Sequence, residues 1–192
     1  MSFLSKLFGG GLPNALPSSY ETGIILAGSL LEGRPNYISD AERPFVEAAG
    51  LPPGFYAQER FMLRAAAAVF AAMECLALDV QNEVGRGFGQ WFADYAKQSE
   101  QNAIIVALHT KSRMPAYLAA ARRNRVNETQ EAGALSFSEI GSQFEDHLLT
   151  RTPLGAAAKV PCMMLGMAVA TANWSAQLEG SKQLFRRTKL IS

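Results

Sequence analysis

The sequence predicts an all-α protein, a single-domain helical bundle of five to seven helices. The clearest observation is a run of apolar residues whose spacing alternates between three and four positions, as on one face of a helix. This run comprises Met62, Ala66, Val69, Met73, Leu76 and Val80. Hydrophobic residues make up 48% of the 192-residue chain, which suits a folded core. No segment alternates apolar and polar residues for long enough to predict a strand.

A long antiparallel helix hairpin is expected at the centre of this bundle. Its first helix covers about 53–84 and carries many alanines, whose small side chains allow a neighbouring helix to approach closely. The glycine-rich segment 85–89 is interpreted as the helix stop and the turn. The second helix covers about 88–121, and Pro115 is expected to kink or split it.

Three further helices are predicted to pack around the hairpin. The first covers Tyr20–Leu31, although Gly23 and Gly28 interrupt it. The second covers Ser136–Thr150, and the third Leu154–Leu184. The apolar face of the second helix is predicted to carry Ile140, Phe144 and Leu148.

Two serine–glutamate pairs have the spacing of a capping box, in which each residue bonds the backbone N–H of the other. Ser39 and Glu42 are expected to begin a short helix that Gly50 ends. Ser136 and Glu139 are expected to begin the helix that follows them.

The two ends of the chain are predicted to lie outside the helical domain, which spans 20–184. Residues 1–19 form a flexible segment that begins with a short amphipathic stub, followed by three glycines. The apolar side chains of the stub are Phe3, Leu4, Leu7 and Phe8. Residues 185–192 form a basic tail. Four bases and no acid follow Glu179, and they are Lys182, Arg186, Arg187 and Lys189.

Charge and composition narrow the class of protein. The net charge of +1 provides no general attraction for nucleic acid, which is not expected as a partner. The longest uncharged apolar run, 160–172, is shorter than the roughly 20 residues that a membrane span needs. Cys75 and Cys162 lie in apolar helical stretches and are interpreted as reduced, buried thiols. A cytoplasmic, bacterial protein is therefore expected, with a position at the periphery of the inner membrane as the alternative.

No catalytic, metal-binding or phosphate-binding motif occurs in the sequence, so no catalytic residue, metal site or cofactor is predicted. His147 is interpreted as a solvated histidine at a helix end. The methionine-rich segment 162–167 is interpreted as filling gaps in the core, with an adaptable binding surface as the alternative.

One small-molecule site is a candidate. At 100° per residue, Ser99, Asn102 and His109 fall on the same helix face as Trp91 and Tyr95. This stripe could line a ligand pocket whose contacts are Trp91, Tyr95, Asn102 and His109. The alternative is a buried polar layer that fixes the register of the helix.

The leading functional prediction is a non-enzymatic protein that binds another protein or itself, as an adaptor, inhibitor, chaperone-like factor or assembly subunit. One alternative is a peripheral membrane protein that uses the apolar stub and the basic end as contacts. The other alternative is a small-molecule-binding helical protein with the pocket near His109.

Overall fold

The computed structural model describes residues 16–30, 38–98, 111–123 and 138–192, and every regular element in these ranges is helical. The helices are α1 (Ser19–Ser29), α2 (Arg43–Ala48), α3 (Pro53–Cys75), α4 (Leu78–Ala96), α5 (residues 111–123), α6 (Ser138–Leu149), α7 (Lys159–Met164) and α8 (Thr171–Arg187). A 3₁₀ turn, Gly155–Ala158, precedes α7, and a π-helical stretch, Leu165–Ala170, joins α7 to α8. With α7 and α8 taken as one continuous helix, the described part of the chain has seven helices. The predicted all-α bundle is confirmed.

Helix α3 lies between two apolar clusters. On one side, Met62, Leu63 and Phe70 pack with side chains of α5, α6 and α8, among them Tyr117, Phe144 and Trp174. On the other side, its alanines pack with side chains of α1, α4 and α8, and these contacts comprise Ala65, Ala68, Ala71, Ala72, Leu26, Phe88, Phe92 and Phe185. Both clusters can approach α3 because alanine adds little width to a helix.

The break after α3 falls at Leu76 and Ala77, so the predicted break at 85–89 is wrong. Leu76 and Ala77 have extended backbones, with ψ of 149° and 153°. The side chain of Gln81 donates to the carbonyl of Leu76 at 2.7 Å and to that of Met73 at 3.2 Å. A glutamine from the next helix thus satisfies the end of α3, and no local glycine or proline marks the position.

The glycines predicted to interrupt helices lie inside them, and two of these glycines, Gly23 and Gly87, bring α1 and α4 together. A Cβ atom added at Gly87 would clash with the carbonyl oxygen of Tyr20 and lie 3.2 Å from the backbone nitrogen of Ile24. A Cβ added at Gly23 would clash with the carbonyl oxygen of Val84. Helix α1 is therefore continuous, and α4 packs chiefly against α1 rather than against α3.

Capping boxes precede two of the described helices, α1 and α2. Ser39 and Glu42 make the two predicted reciprocal bonds, at 2.9 and 3.3 Å, immediately before α2. A second capping box, between Ser18 and Glu21, begins α1 and was not predicted. Gly50 ends the α2 region with a φ of 62°, in the left-handed region that glycine readily adopts.

The segment predicted to be a basic tail is partly helical. Helix α8 continues to Arg187, and Phe185 is fully buried in the cluster that it shares with α1 and α4. The helix extends because burial of this aromatic ring stabilises its last turn. At the other end of the chain, the predicted stub lies outside the described residues.

One residue of the predicted apolar stripe is not in the core. Met73 is 36% exposed, whereas Met62 and Ala66 on the same stripe are buried. Met73 lies in the last turn of α3, where it lines a surface groove with Gln81 and Gly85 of α4.

We expect Gly87→Ala to lower the free energy of unfolding by at least about 2 kcal/mol, because the added methyl group would force the α1 and α4 backbones apart. Gly85→Ala is the matched control in the same helix, since a Cβ there meets nothing within 4 Å. The control should stabilise the protein by about 0.5–1 kcal/mol through helix propensity. Urea unfolding measures both changes, and equal stability of the two variants would contradict the close helix contact.

Candidate functional site

Helix α3 carries three charged side chains into the interior, Glu59, Arg60 and Arg64. Glu59 has no exposed surface. Arg60 and Arg64 are half-buried. A buried charge is strongly destabilising unless it is paired or hydrogen-bonded. The partners of these three residues therefore determine which other helices must pack against α3.

Glu59 is the centre of a buried polar cluster formed with α5 and α6. Its Oε1 accepts from the hydroxyl of Tyr117 and from Nδ1 of His147, both at 2.8 Å. Its Oε2 lies 3.5 Å from Nε of Arg113. On the far side of the imidazole, Nε2 of His147 lies 3.0 Å from Nε2 of Gln143. The cluster joins three helices through one carboxylate.

The prediction that His147 is a solvated histidine is wrong. Its side chain faces into the bundle beside Phe144 and Leu148 and is about 5% exposed. The imidazole is held edge-on to the ring of Tyr117, with the centroids 5.0 Å apart. Burial is tolerated because Glu59 provides an acceptor. Glu59 lies 88 positions earlier in the chain, so no local pattern could indicate this pairing.

The environment favours the ionised form of Glu59. Burial raises the pKa of this carboxyl, but the hydrogen bond and charge of His147, the charge of Arg113 and the hydroxyl of Tyr117 lower it by more. The pKa of Glu59 therefore lies below its ordinary value of 4.5. Burial and the adjacent carboxylate raise the pKa of Tyr117 well above its usual range. The hydroxyl of Tyr117 thus stays protonated and remains a donor.

This cluster contains residue types that also occur in catalytic sites, but it is closed to solvent. Glu59 and Tyr117 have no exposed surface, so a substrate cannot reach them in this structure. Buried hydrogen bonds rigidify a core and fix the positions of the elements that supply them. In this cluster Oε1 of Glu59 accepts those bonds, while Oε2 makes the ionic contact with Arg113 and no hydrogen bond among the described residues. We therefore interpret the cluster as a structural clamp between α3, α5 and α6.

Arg60 and Arg64 connect α3 to other elements. Arg60 makes a bidentate contact with Glu42, at 3.1 and 2.8 Å, just before α2. Arg64 donates to the carbonyl of Leu30 at 3.2 Å, which caps the end of α1. Arg64 also donates to the side chain of Gln177 in α8.

The predicted small-molecule site is only partly described. Trp91 and Tyr95 stack on each other, with ring centroids 5.3 Å apart and planes within 7°. Trp91 also meets Phe92 edge-on. Asn102 and His109 lie outside the described residues, as does Ser99. The pocket therefore stays a prediction, of which the structure describes the stacked pair alone.

The predicted basic contacts lie along the last two turns of α8 and just beyond them. Arg186 pairs with Glu179 at 3.3 Å. Arg187 and Lys189 are exposed, and Lys182 is half-buried. The four predicted apolar contacts of the stub, Phe3, Leu4, Leu7 and Phe8, lie outside the described residues.

An apolar surface lies on α7 and the segments on either side of it. Its side chains are large, hydrophobic and exposed, and we name them the Met surface: Leu154, Val160, Met163, Met164 and Met167. Val160 is 64% exposed and Met167 is 62% exposed. The interpretation of the methionines in 162–167 as core gap-filling is therefore wrong for all three of them.

The opposite face of the same helix explains this arrangement. Ala158, Cys162 and Leu165 have no exposed surface and belong to the core. Gly166 lies against the carbonyl of Gly141, so α6 approaches the π-helical stretch closely. The core side is thus occupied by small residues and α6, which leaves the methionines on the outside. Burial and the charge of Glu145 raise the pKa of Cys162 to about 11, so its thiol is protonated and unreactive.

Length and composition alone would allow one described helix, Gly155–Arg187, to cross a membrane. About 33% of its most apolar window is buried inside the bundle. The core helix of a soluble protein can pass the same test, so this finding is weak evidence for a span.

Among the residues that the structure describes, no group of three or more His, Cys, Asp or Glu side chains could hold a metal ion. Comparisons with protein-family models, with curated proteins and with solved structures find no match to this chain.

We expect Glu59→Gln to lower the free energy of unfolding at neutral pH by about 3–5 kcal/mol, because it leaves the guanidinium of Arg113 without its carboxylate. Since folding lowers the pKa of Glu59, its ionisation stabilises the fold above about pH 4.5, and this stabilisation is lost as the pH falls through the lowered pKa. The difference in the free energy of unfolding between the native chain and the Glu59→Gln variant should therefore decrease as the pH is lowered. Urea unfolding at several pH values measures it.

Glu83→Gln is the control for this substitution. Glu83 makes an exposed ion pair with Arg86 at 2.7 Å, and such pairs contribute at most about 1 kcal/mol. A pH-independent effect of Glu59→Gln, or an effect no larger than that of the control, would contradict the clamp.

Proposed function

We propose that this protein is non-enzymatic and acts through protein–protein interaction, and that the Met surface is its contact site. The observation that carries the proposal is the exposure of Val160, Met163, Met164 and Met167 on one side of a helix. Contiguous exposed apolar surface is a mark of interaction sites on proteins. Methionine is well suited to such a surface because its flexible, polarisable side chain adapts to a partner.

The composition of the surrounding segment supports a protein partner. The exposed residues of 153–167 include only one charged side chain, Lys159. The others are Pro153, Leu154, Gly155, Ala156, Ala157, Val160, Met163, Met164 and Met167. The centres of protein interfaces are depleted of charge and enriched in methionine. Adsorption to an anionic membrane instead favours several Lys or Arg residues around the apolar stripe, and this segment has one.

The spacing of the Met surface favours a second copy of this chain as the partner. Val160 lies three residues before Met163, and Met167 lies three residues after Met164, so the stripe is symmetric about its centre. A two-fold axis through that centre would place Val160 of one copy across from Met167 of the other. It would also pair the two central methionines with each other. A two-fold dimer uses the same patch on both copies, which this symmetry permits.

We expect Val160→Lys and Met167→Glu each to raise the dimer dissociation constant by at least about tenfold, because each substitution places an unpaired charge in an apolar contact. Combining both substitutions in one chain should restore much of the affinity, since each lysine would then face a glutamate of the other copy. Sedimentation velocity over a range of protein concentrations measures the constants.

Leu78→Glu is the matched control, because Leu78 is 72% exposed and lies at the start of α4 rather than on the Met surface. It should leave the dissociation constant unchanged. A native chain that is monomeric at all concentrations would contradict self-association. Binding of that monomer to neutral lipid vesicles, abolished by Met167→Glu, would identify the surface as a membrane contact instead.

A further inference from the structure

A cleft of about 350 Å³ lies between α1, α3 and α8, on residues separate from the Met surface. Its polar wall includes Arg64, Gln177 and Arg187, and its apolar wall includes Ile25, Leu26 and Leu184. A volume of this size is at the lower end of small-molecule sites. The combination of a cationic end and an apolar wall is suited to a small ligand with one charged group.

The charge of Arg64 is not neutralised by any carboxylate that the structure describes. Its guanidinium bonds only neutral acceptors, namely the carbonyls of Ser29 and Leu30 and the side-chain oxygen of Gln177. Burial and the neighbouring charge of Arg60 lower the pKa of Arg64. Both effects disfavour a cation at this position, so an anion in the cleft would gain from neutralising it.

Arg187 adds a second cation to the cleft. It lies in the last turn of α8 and lines the cavity together with Arg64. No aspartate or glutamate of the described residues lines this cavity. Guanidinium groups bind carboxylate and phosphate oxygens through charge-assisted hydrogen bonds.

We propose that this cleft binds a small organic anion, with a carboxylate or phosphate group at Arg64 and Arg187 and a short apolar chain along Ile25, Leu26 and Leu184. The site is independent of the protein–protein contact, because its walls come from α1, α3 and α8, whereas the Met surface lies on α7 and the segments on either side of it. The two arginines favour a ligand with a negative group. The small volume and the apolar wall favour a ligand with only a few carbon atoms.

Isothermal titration calorimetry with hexanoate, hexyl phosphate and hexanol tests the proposal. The two anions should each bind saturably with one site per chain, and hexanol should bind at least about tenfold more weakly because it lacks the charge. The tighter of the two anions identifies the preferred head group. Acetate and inorganic phosphate, which lack the apolar chain, should both bind more weakly than the matching hexyl compound.

Two variants locate the site. Arg187→Gln should weaken binding of hexanoate and hexyl phosphate by about tenfold and leave the weak binding of hexanol unchanged. Gly180→Leu should abolish binding, because Gly180 lines the cleft and a side chain there begins in open space. Gly180 lies within α8, so this substitution also favours the helix and should not unfold the protein.

Gly89→Leu is the control for the steric variant, since a Cβ at this position of α4 also meets nothing within 4 Å. It should bind both anions as the native chain does. Met167→Glu should do so as well, which separates this site from the protein contact. The absence of saturable binding by either anion, or binding that Gly180→Leu leaves intact, would overturn the proposal.

Discussion

The structure depends on one constraint, which is that α3 is buried on both sides and still carries three charged side chains, Glu59, Arg60 and Arg64, into the interior. Each of these side chains is hydrogen-bonded to a different part of the chain. Glu59 requires α5 and α6, through Tyr117 and His147. Arg60 requires Glu42 in front of α2, and Arg64 requires the end of α1 and Gln177 of α8. Because an unsatisfied buried charge costs several kcal/mol, these contacts specify which helices surround α3, while apolar burial provides most of the driving force.

Helix α4 is held in the bundle by a different kind of contact. It packs chiefly against α1, through the glycines at positions 23 and 87. Close backbone approach replaces polar pairing at this contact. A close backbone contact between glycines also occurs where Gly141 of α6 packs against Gly166. There it holds the inner side of the α7–α8 helix against the core, which leaves the methionines of the Met surface outside.

Local patterns predicted the fold class and several elements correctly. Ile140, Phe144 and Leu148 are buried as their spacing indicated, because helical periodicity is a short-range property. The sequence failed where the decisive partner is distant. His147 could not be recognised as buried without Glu59, and Gly87 was taken for a helix stop because its neighbour, Tyr20, lies far away in the chain. The exposed methionines were misread because apolar content alone does not say which side of a helix the core occupies. The stacking of Trp91 on Tyr95 agrees with a shared face, while His109 is outside the described residues.

Native-state hydrogen exchange of the α3 amides tests the central claim most directly, because α3 can open only if the clamps on Glu59, Arg60 and Arg64 open together. We expect the amides from Glu59 to Phe70 to exchange only through global unfolding. Their opening free energy should then equal the free energy of unfolding from urea denaturation and exceed that of α4. Exchange of the α3 amides at a lower free energy than those of α4 would contradict the central role of this helix.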